Sequence, residues 1–420
     1  MIIEIFILLL LRQESASGSG KQQSTALSAT SAAGRGLFIP GLRRAENHLW
    51  HVNEKETITR QKEKHMDKHA DGGYRLARRD FIKGGLAVTA VIGTGTASAQ
   101  WTPSLRYPDP GVEILDPSFT KYRIFNSSIE RLATGFRWLE GPVWIGDGNY
   151  LLVSDIANNQ IIRWDEATGK ASVFRKPANF PNGNTRDRQG RLLTCEGAVT
   201  RRISRTEYSG KVNALTDNFE GKPYNSPNDI VCKTDGSVWF TDPPFQLSND
   251  YEGRISKQEL PDSVYRVDAQ TNKVHRVIDD LAGPNGLCFS PDEKKLYVVE
   301  GRAKPSRILW VYTVGADNTL SEKTKFLEVE GAGALDGIKC DQDGNIWAGW
   351  GNSGAPGGDS AQLDGVMVFN PQGKAIAHIH LPERCANLCF GGENNNRLFM
   401  ASSHSIYSVF VNTRGAVAFD

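Results

Sequence analysis

Charge of one sign is what this sequence most plainly lacks. It carries 49 Lys and Arg against 48 Asp and Glu, a formal net charge of +1. No block of like charge interrupts the repeats described below, so nothing recruits a nucleic acid or an anionic membrane surface as partner. Long apolar runs are missing too. The apolar start Ile2 to Leu11 offers about 10 residues, too few to span a bilayer, and no stable span is expected in the mature chain. Cysteine is sparse, at six, with no CxxC or Cys/His spacing of a zinc site. Five of the six fall inside repeated hairpins, where a small apolar side chain packs well, so buried free thiols are expected. An oxidising compartment would permit a disulfide, whose pairing the spacing cannot choose. There is no Ser/His/Asp arrangement with a nucleophile elbow, and the Gly-rich stretch Gly351 to Gly358 lacks the Gly-Lys-Ser/Thr ending of a phosphate loop. His275, His378, His380 and His404 fall on outer strands or a loop. His378 and His380 alternate on one strand face, which suits a metal but suits a solvated or packed face as well.

What is present is a repeat. Ser226-Pro-Asn228 leads into a short apolar run, an Asp235-Gly236 turn and the strand Val238-Trp-Phe-Thr-Asp242. Asp-Gly between two such runs is a strong hairpin signal, because the pair tolerates the positive φ that the turn demands. The same layout begins at Glu140, Asn182, Asn285 and Asp336, with a more degenerate copy at Asn387, at spacings in the forties to fifties of residues. A second strand pair follows each copy, starting near Gln160, Arg202, Ser263, Arg307, Gly365 and Ser405. Six copies of four strands predict an all-β fold, a six-bladed β-propeller with four-stranded antiparallel blades. With 39% apolar residues over 420 positions, a core of full size is available. The segment Val112 to Phe136 carries two short runs, Tyr122 to Phe125 and Ile129 to Leu132, either of which could supply the outer strand that closes the ring on the last blade and removes its open edges. Insertions at Gln246 to Leu260 and Ser353 to Leu363 are expected to stand at one mouth of the channel.

The first hundred residues read differently. Arg78-Arg79, Phe81, Lys83, the apolar run Gly84 to Ile92 and Ala97-Ser-Ala99 together spell a twin-arginine export signal over residues 66–99. Residues 1–65 stand in front of a signal that normally opens a chain, and Met66 is a natural start, so 1–65 read as an upstream extension, disordered or not made. The propeller domain then spans 100–420, and the mature protein is expected in the periplasm or outside the cell.

In a propeller the six leading residues, Glu140, Asn182, Asn228, Asn285, Asp336 and Asn387, ring one axis. Two carboxylates and several carboxamides, with no facing His or Cys, make an oxygen-only site. Ca²⁺ suits such a set, whereas Zn²⁺ prefers nitrogen or sulfur. The plainer alternative is that these Asn and Asp residues only cap turns. Glu140 stands against it, since Glu is a poor turn residue.

Leu139-Glu140-Gly-Pro-Val-Trp144, Ser226-Pro-Asn228-Asp229, Pro284-Asn285-Gly-Leu287 and Leu335-Asp336-Gly-Ile338 resemble the four motifs of the gluconolactonase family, which also includes the senescence marker protein. The match runs from roughly Ile129 to Phe410. The resemblance implies a six-bladed propeller with one central divalent cation, usually Ca²⁺, with Zn²⁺, Mg²⁺, Mn²⁺ or Fe²⁺ as other candidates. It implies Glu140, Asn285 and Asp336 as direct ligands and Asn228 as a ligand or a water-mediated contact that also faces substrate. It implies hydrolysis of sugar lactones to aldonic acids, the cation polarising the carbonyl. Asp336 is then the candidate to orient or deprotonate the attacking water, and Asn228 to steady the oxyanion. Asp242 and Arg201 are candidates to touch substrate, although an outer-strand salt bridge suits the pair Arg201-Arg202 better. Two departures leave the sugar open: Ser226 stands where animal members have Arg, and Gly197 where some relatives have His. A related metal-dependent esterase or phosphotriesterase, and a calcium-binding propeller without catalysis, are the alternative readings. The oligomeric state is not legible.

Overall fold

The computed structural model describes residues 101–416. The upstream extension and export signal expected over 1–99 lie outside the described residues. Among the described residues no helix is long and apolar enough to cross a membrane.

Six antiparallel blade sheets follow one another along the chain, each running outward from its inner strand in sequence order except for the outermost strands of the last two, and a two-stranded hairpin of Asn218–Phe219 with Lys222–Pro223 stands apart from them. The inner strands are Leu139–Ile145, Pro181–Arg186, Ile230–Cys232, Pro284–Phe289, Gly333–Cys340 and Cys385–Gly391. Each packs against the inner strand of the next blade, and the sixth packs against the first. The six therefore surround one axis, which is the propeller that the repeat predicts.

Two N-terminal strands complete the ring. β1, Val112–Ile114, pairs with Ala375–His380 and gives the fifth blade a fifth strand. β2, Glu130–Thr134, pairs with Ser405–Phe410 and supplies the outer strand of the sixth blade. Of the two runs proposed for closure, the second does the work. Tyr122 to Phe125 is not a strand, and only Arg123 forms an isolated bridge, to Val411.

Neighbouring blades are joined by apolar layers in which the repeat pattern is visible. Trp239, on the second strand of blade three, meets Phe289 on the inner strand of blade four at 5.5 Å between ring centroids. Trp347 and Phe390 repeat this between blades five and six at 5.5 Å, and Phe399 stacks on Trp144 at 5.2 Å where blade six meets blade one. Such pairs contribute roughly 0.5–1.5 kcal/mol each beyond the area they bury. All six cysteines are free and buried, as the sequence leads one to expect.

One irregularity positions the site. In five blades the register between the inner strand and its neighbour slips just where the leading polar residue stands: Glu140/Val143, Pro181/Asn184, Pro284/Leu287, Leu335/Ile338 and Cys385/Asn387. A bulge frees backbone groups from the ladder and re-aims the side chain. The freed groups bind across to the next blade instead: Gly183 N–H donates to the Asn228 carbonyl at 2.7 Å, and Asn184 Nδ2 donates to the Gly141 carbonyl at 2.8 Å. Glycine follows the polar residue because the inner strands approach so closely. At Gly141, where φ is +50°, a Cβ would collide with the Asn182 carbonyl oxygen and the Gly183 Cα.

Candidate active site

The inner strands, five of them bulged, bring the six leading residues to the same end of the channel, where five of them are buried and Asn285 is half-buried. Glu140 is 5% exposed and Asp336 6%. Glu140 Oε2 accepts from its neighbour Gly141 N–H at 2.9 Å and from Asn387 Nδ2 at 3.1 Å. Asp336 Oδ1 accepts from Asn285 Nδ2 at 2.8 Å, and its Oδ2 is paired with Arg384 at 2.8 Å. Asn228 has both backbone groups engaged, its N–H donating to Thr241 and its carbonyl accepting from Gly183. Its neighbour Asp229 lies 3.6 Å from Lys339 Nζ.

Electrostatics make this ring an unsettled place without a cation. Burial, and after it the charges of Asp336 and Asp229, push the Glu140 carboxyl well above the usual carboxylate range. Asp336 is raised as well, by burial, while Arg384, Asn285 and Arg307 pull the other way. Like charges held in a low-dielectric ring disfavour each other's ionisation. Asn182 Oδ1 is buried beside them with no hydrogen-bond partner. Two acids, several amide oxygens and an orphaned acceptor form a donor set that fits a hard divalent cation.

The loops at this mouth add residues that the repeat could not reveal. Arg384 comes from the connection into blade six and reaches the Asn352 carbonyl as well as Asp336. Arg307 is held by the Gly301 carbonyl and is pushed downward by burial and then by Arg384. Glu252, from the 246–260 insertion, is raised by burial and then by the charge of Asp336, so that insertion reaches over the ring. The only sequence trace of Arg384 is its place three residues ahead of Asn387, the least regular copy.

The two weaker substrate candidates are both engaged with backbone groups. Asp242 is fully buried, accepts from the Asn225 N–H at 2.8 Å and is pushed up to about 8 by burial. Arg201 holds the carbonyls of Tyr224 and Asn225 and lies 3.6 Å from Glu259. Both brace the loop that carries Asn228. Arg202 pairs with Glu196 at 2.7 Å. Ser226, 1% exposed, takes the N–H of Gln246 on its hydroxyl and so ties this loop to the insertion. Gly197 is needed for the same packing, since a Cβ there would strike the Gln246 side chain.

The other end of the channel is different in character. Two to four residues farther along each inner strand, a cavity of about 430 Å³ is lined by Asn184, Lys339 and the thiols Cys232, Cys288, Cys340 and Cys389. It lies beyond the ring, away from the mouth with the insertions.

Residues 138–404 match the SMP-30/Gluconolactonase/LRE-like region. A gluconolactonase of Zymomonas mobilis is 31% identical over 372 residues, covering 81% of this chain and 99% of the relative. A pentonolactonase of Haloferax volcanii is 25% identical, covering 64% of this chain and 83% of its own. Among solved structures, a gluconolactonase from Xanthomonas campestris superposes with a TM-score of 0.64 at 30% identity, covering 71% of this chain and 94% of that one.

Proposed function

The chain belongs to the SMP-30/gluconolactonase/LRE-like family, and on that footing we propose that it opens sugar lactones to aldonic acids with a divalent cation held at the ring. It is a lactone-hydrolysing enzyme, acting on a carboxylic ester bond. The observation that carries the metal-dependent reading is the buried pair Glu140 and Asp336, each raised above its ordinary range in one oxygen-lined mouth. A scaffold without a ligand has no use for two such charges.

Glu140, Asn285 and Asp336 would hold the ion, with Asn228 beside them, and Ca²⁺ is the ion proposed because every donor is oxygen. When bound, it would supply Lewis-acid polarisation of the lactone carbonyl. Asp336 is the proposed base. Arg384 and Asn285 fix its two oxygens, and burial raises its affinity for the proton that the attacking water must give up. The Asn228 amide is assigned to steady the oxyanion. Arg384 and Arg307 put positive charge at the mouth where the product carboxylate forms.

The test is a panel of aldono-lactones with metal-stripped protein, adding back Ca²⁺, Mg²⁺, Mn²⁺, Zn²⁺ and Fe²⁺ singly, alongside an aryl ester and an organophosphate. Lactone turnover restored by a hard ion is the expected result. Turnover indifferent to chelator would end the metal reading. We also propose delivery to the periplasm or beyond by the twin-arginine route, on the strength of Arg78-Arg79 and the segment after it. Replacing both with Lys should leave the unprocessed chain in the cytoplasm.

A further inference from the structure

Far from the ring, on the outer edge of blade five, β1 lies against the strand Ala375–His380. The register sets Glu113 opposite His378, and His380 is two residues on, hence on the same face. One ligand atom from each of Glu113, His378 and His380 lies within 4.8 Å of the other two. The imidazole rings are 3.9 Å apart at their centroids, and His380 Nε2 is 2.7 Å from Glu113 Oε2.

His378 is the telling member. It is 4% exposed, yet its Nε2 has no hydrogen-bond partner. A buried imidazole nitrogen that no protein group satisfies is a lone pair a metal ion could take. Its nearest polar neighbours in the cluster are another imidazole and a carboxylate, both electron-pair donors. An apolar edge would have no reason to gather three of them.

We propose that Glu113, His378 and His380 form a second metal site, distinct from the central ring, that takes a borderline divalent ion, Zn²⁺. Two nitrogens and one oxygen select such an ion over Ca²⁺. Bonds of about 2.0–2.2 Å would bring the ligand atoms roughly 3.3–3.6 Å apart. The partly exposed side chains of His380 and Glu113 can close that gap by small rotations while His378 stays fixed. Their exposure leaves a fourth position for water. The ion would staple β1, a strand of only three residues, to the blade, and the site does not depend on what the ring hydrolyses.

The experiment uses the full chain, metal-stripped and then given one equivalent of Cu²⁺ for electron paramagnetic resonance, with Zn²⁺ affinity measured by competition against a chromophoric chelator. His378→Gln, His380→Gln and Glu113→Gln are compared with the parent, the last two being part-exposed positions where folding is safe. The expected result is nitrogen coupling in the parent that is lost in His380→Gln. Zn²⁺ affinity should fall at least about 100-fold in His380→Gln, beyond the 10–100-fold typical of an outer-shell partner, while ion-supported lactone hydrolysis is unchanged. Nitrogen coupling and Zn²⁺ affinity that are the same in parent and His380→Gln would overturn the proposal, as would a parent that shows neither.

Discussion

Glu140 is the residue on which the ring's character turns. Its raised carboxyl pKa means that the folded, metal-free protein keeps a proton that the unfolded chain, titrating near 4.3, has given up. Stability of the stripped protein therefore falls as pH climbs past that value. Glu140→Gln keeps the shape and removes the charge. In chelator it should melt higher than the parent at pH 8 and nearly level with it at pH 5. Added Ca²⁺ should raise the melting temperature of the parent alone, and kcat/KM should drop at least about 10³-fold, the scale of lost electrostatic stabilisation. Asp242 gives an independent case. Burial pushes its carboxyl up to about 8 from an ordinary 3.8, which makes stability decline across that whole window, by up to about 1.4 kcal/mol per pH unit. Asp242→Asn should flatten the stability profile between pH 5 and 8, measured by urea unfolding at fixed temperature, and a profile as steep as the parent's would refute the assignment. The ring residues were legible because each leads a repeated copy. Arg384, Arg307 and Glu252 were not, because they come from loops of unequal length that share no spacing, and only the closed ring brings them to one mouth.

The inner strand is built around its bulge. The hairpins could be read from Asp-Gly turns such as Asp235-Gly236 and Asp343-Gly344, whose glycines sit at φ of +85° and +83°. The bulges could not, since a two-against-one pairing depends on a partner strand that the local sequence does not name. In hindsight the polar–glycine doublets Glu140-Gly141, Asn182-Gly183, Asn285-Gly286 and Asp336-Gly337 mark where one inner strand presses on the next. Gly141→Ala combines a left-handed backbone with a collision against backbone atoms of the neighbouring strand. It should cost about 2–5 kcal/mol in chemical denaturation, from overpacking and the left-handed strain together. Activity should fall with it even where the variant stays folded, because Glu140 is the adjoining residue. Gly169→Ala, also at positive φ but with open space around it, should lose only the backbone part, about 1–2 kcal/mol, and keep full activity. β1 escaped the sequence because three residues are too few to show a period. Its partner strand showed the two histidines but not the Glu113 that faces them.

Closure makes six blades one molecule. β2 joins the sixth blade across most of the described residues, Glu130 pairing with Ser408, so this contact is among the most distant in sequence and the most costly in loop entropy. Arg397 secures it. Buried, it binds Glu130 of β2 at 2.6 Å, Glu166 of blade one at 3.0 Å and Ser408 within its own sheet at 3.1 Å. Its guanidinium also lies over the rings of Trp164, Phe399 and Phe410. Two shortened chains separate closure from mere length. A chain beginning at residue 116 loses β1 but keeps Phe119 and Tyr122, both buried, and it keeps β2. It should unfold in one cooperative transition and still hydrolyse lactone. A chain beginning at residue 136 loses β2, leaving Ser405–Phe410 as a raw edge beside blade one. It should show a broad, non-cooperative melt by circular dichroism, rapid amide exchange across blades one and six, and concentration-dependent association through the opened edge. If the shorter chain melted as sharply as the longer one, the seam at blade six would not be what holds Glu140 of blade one within reach of Asn387 of blade six, and the ring would need another explanation for its closure.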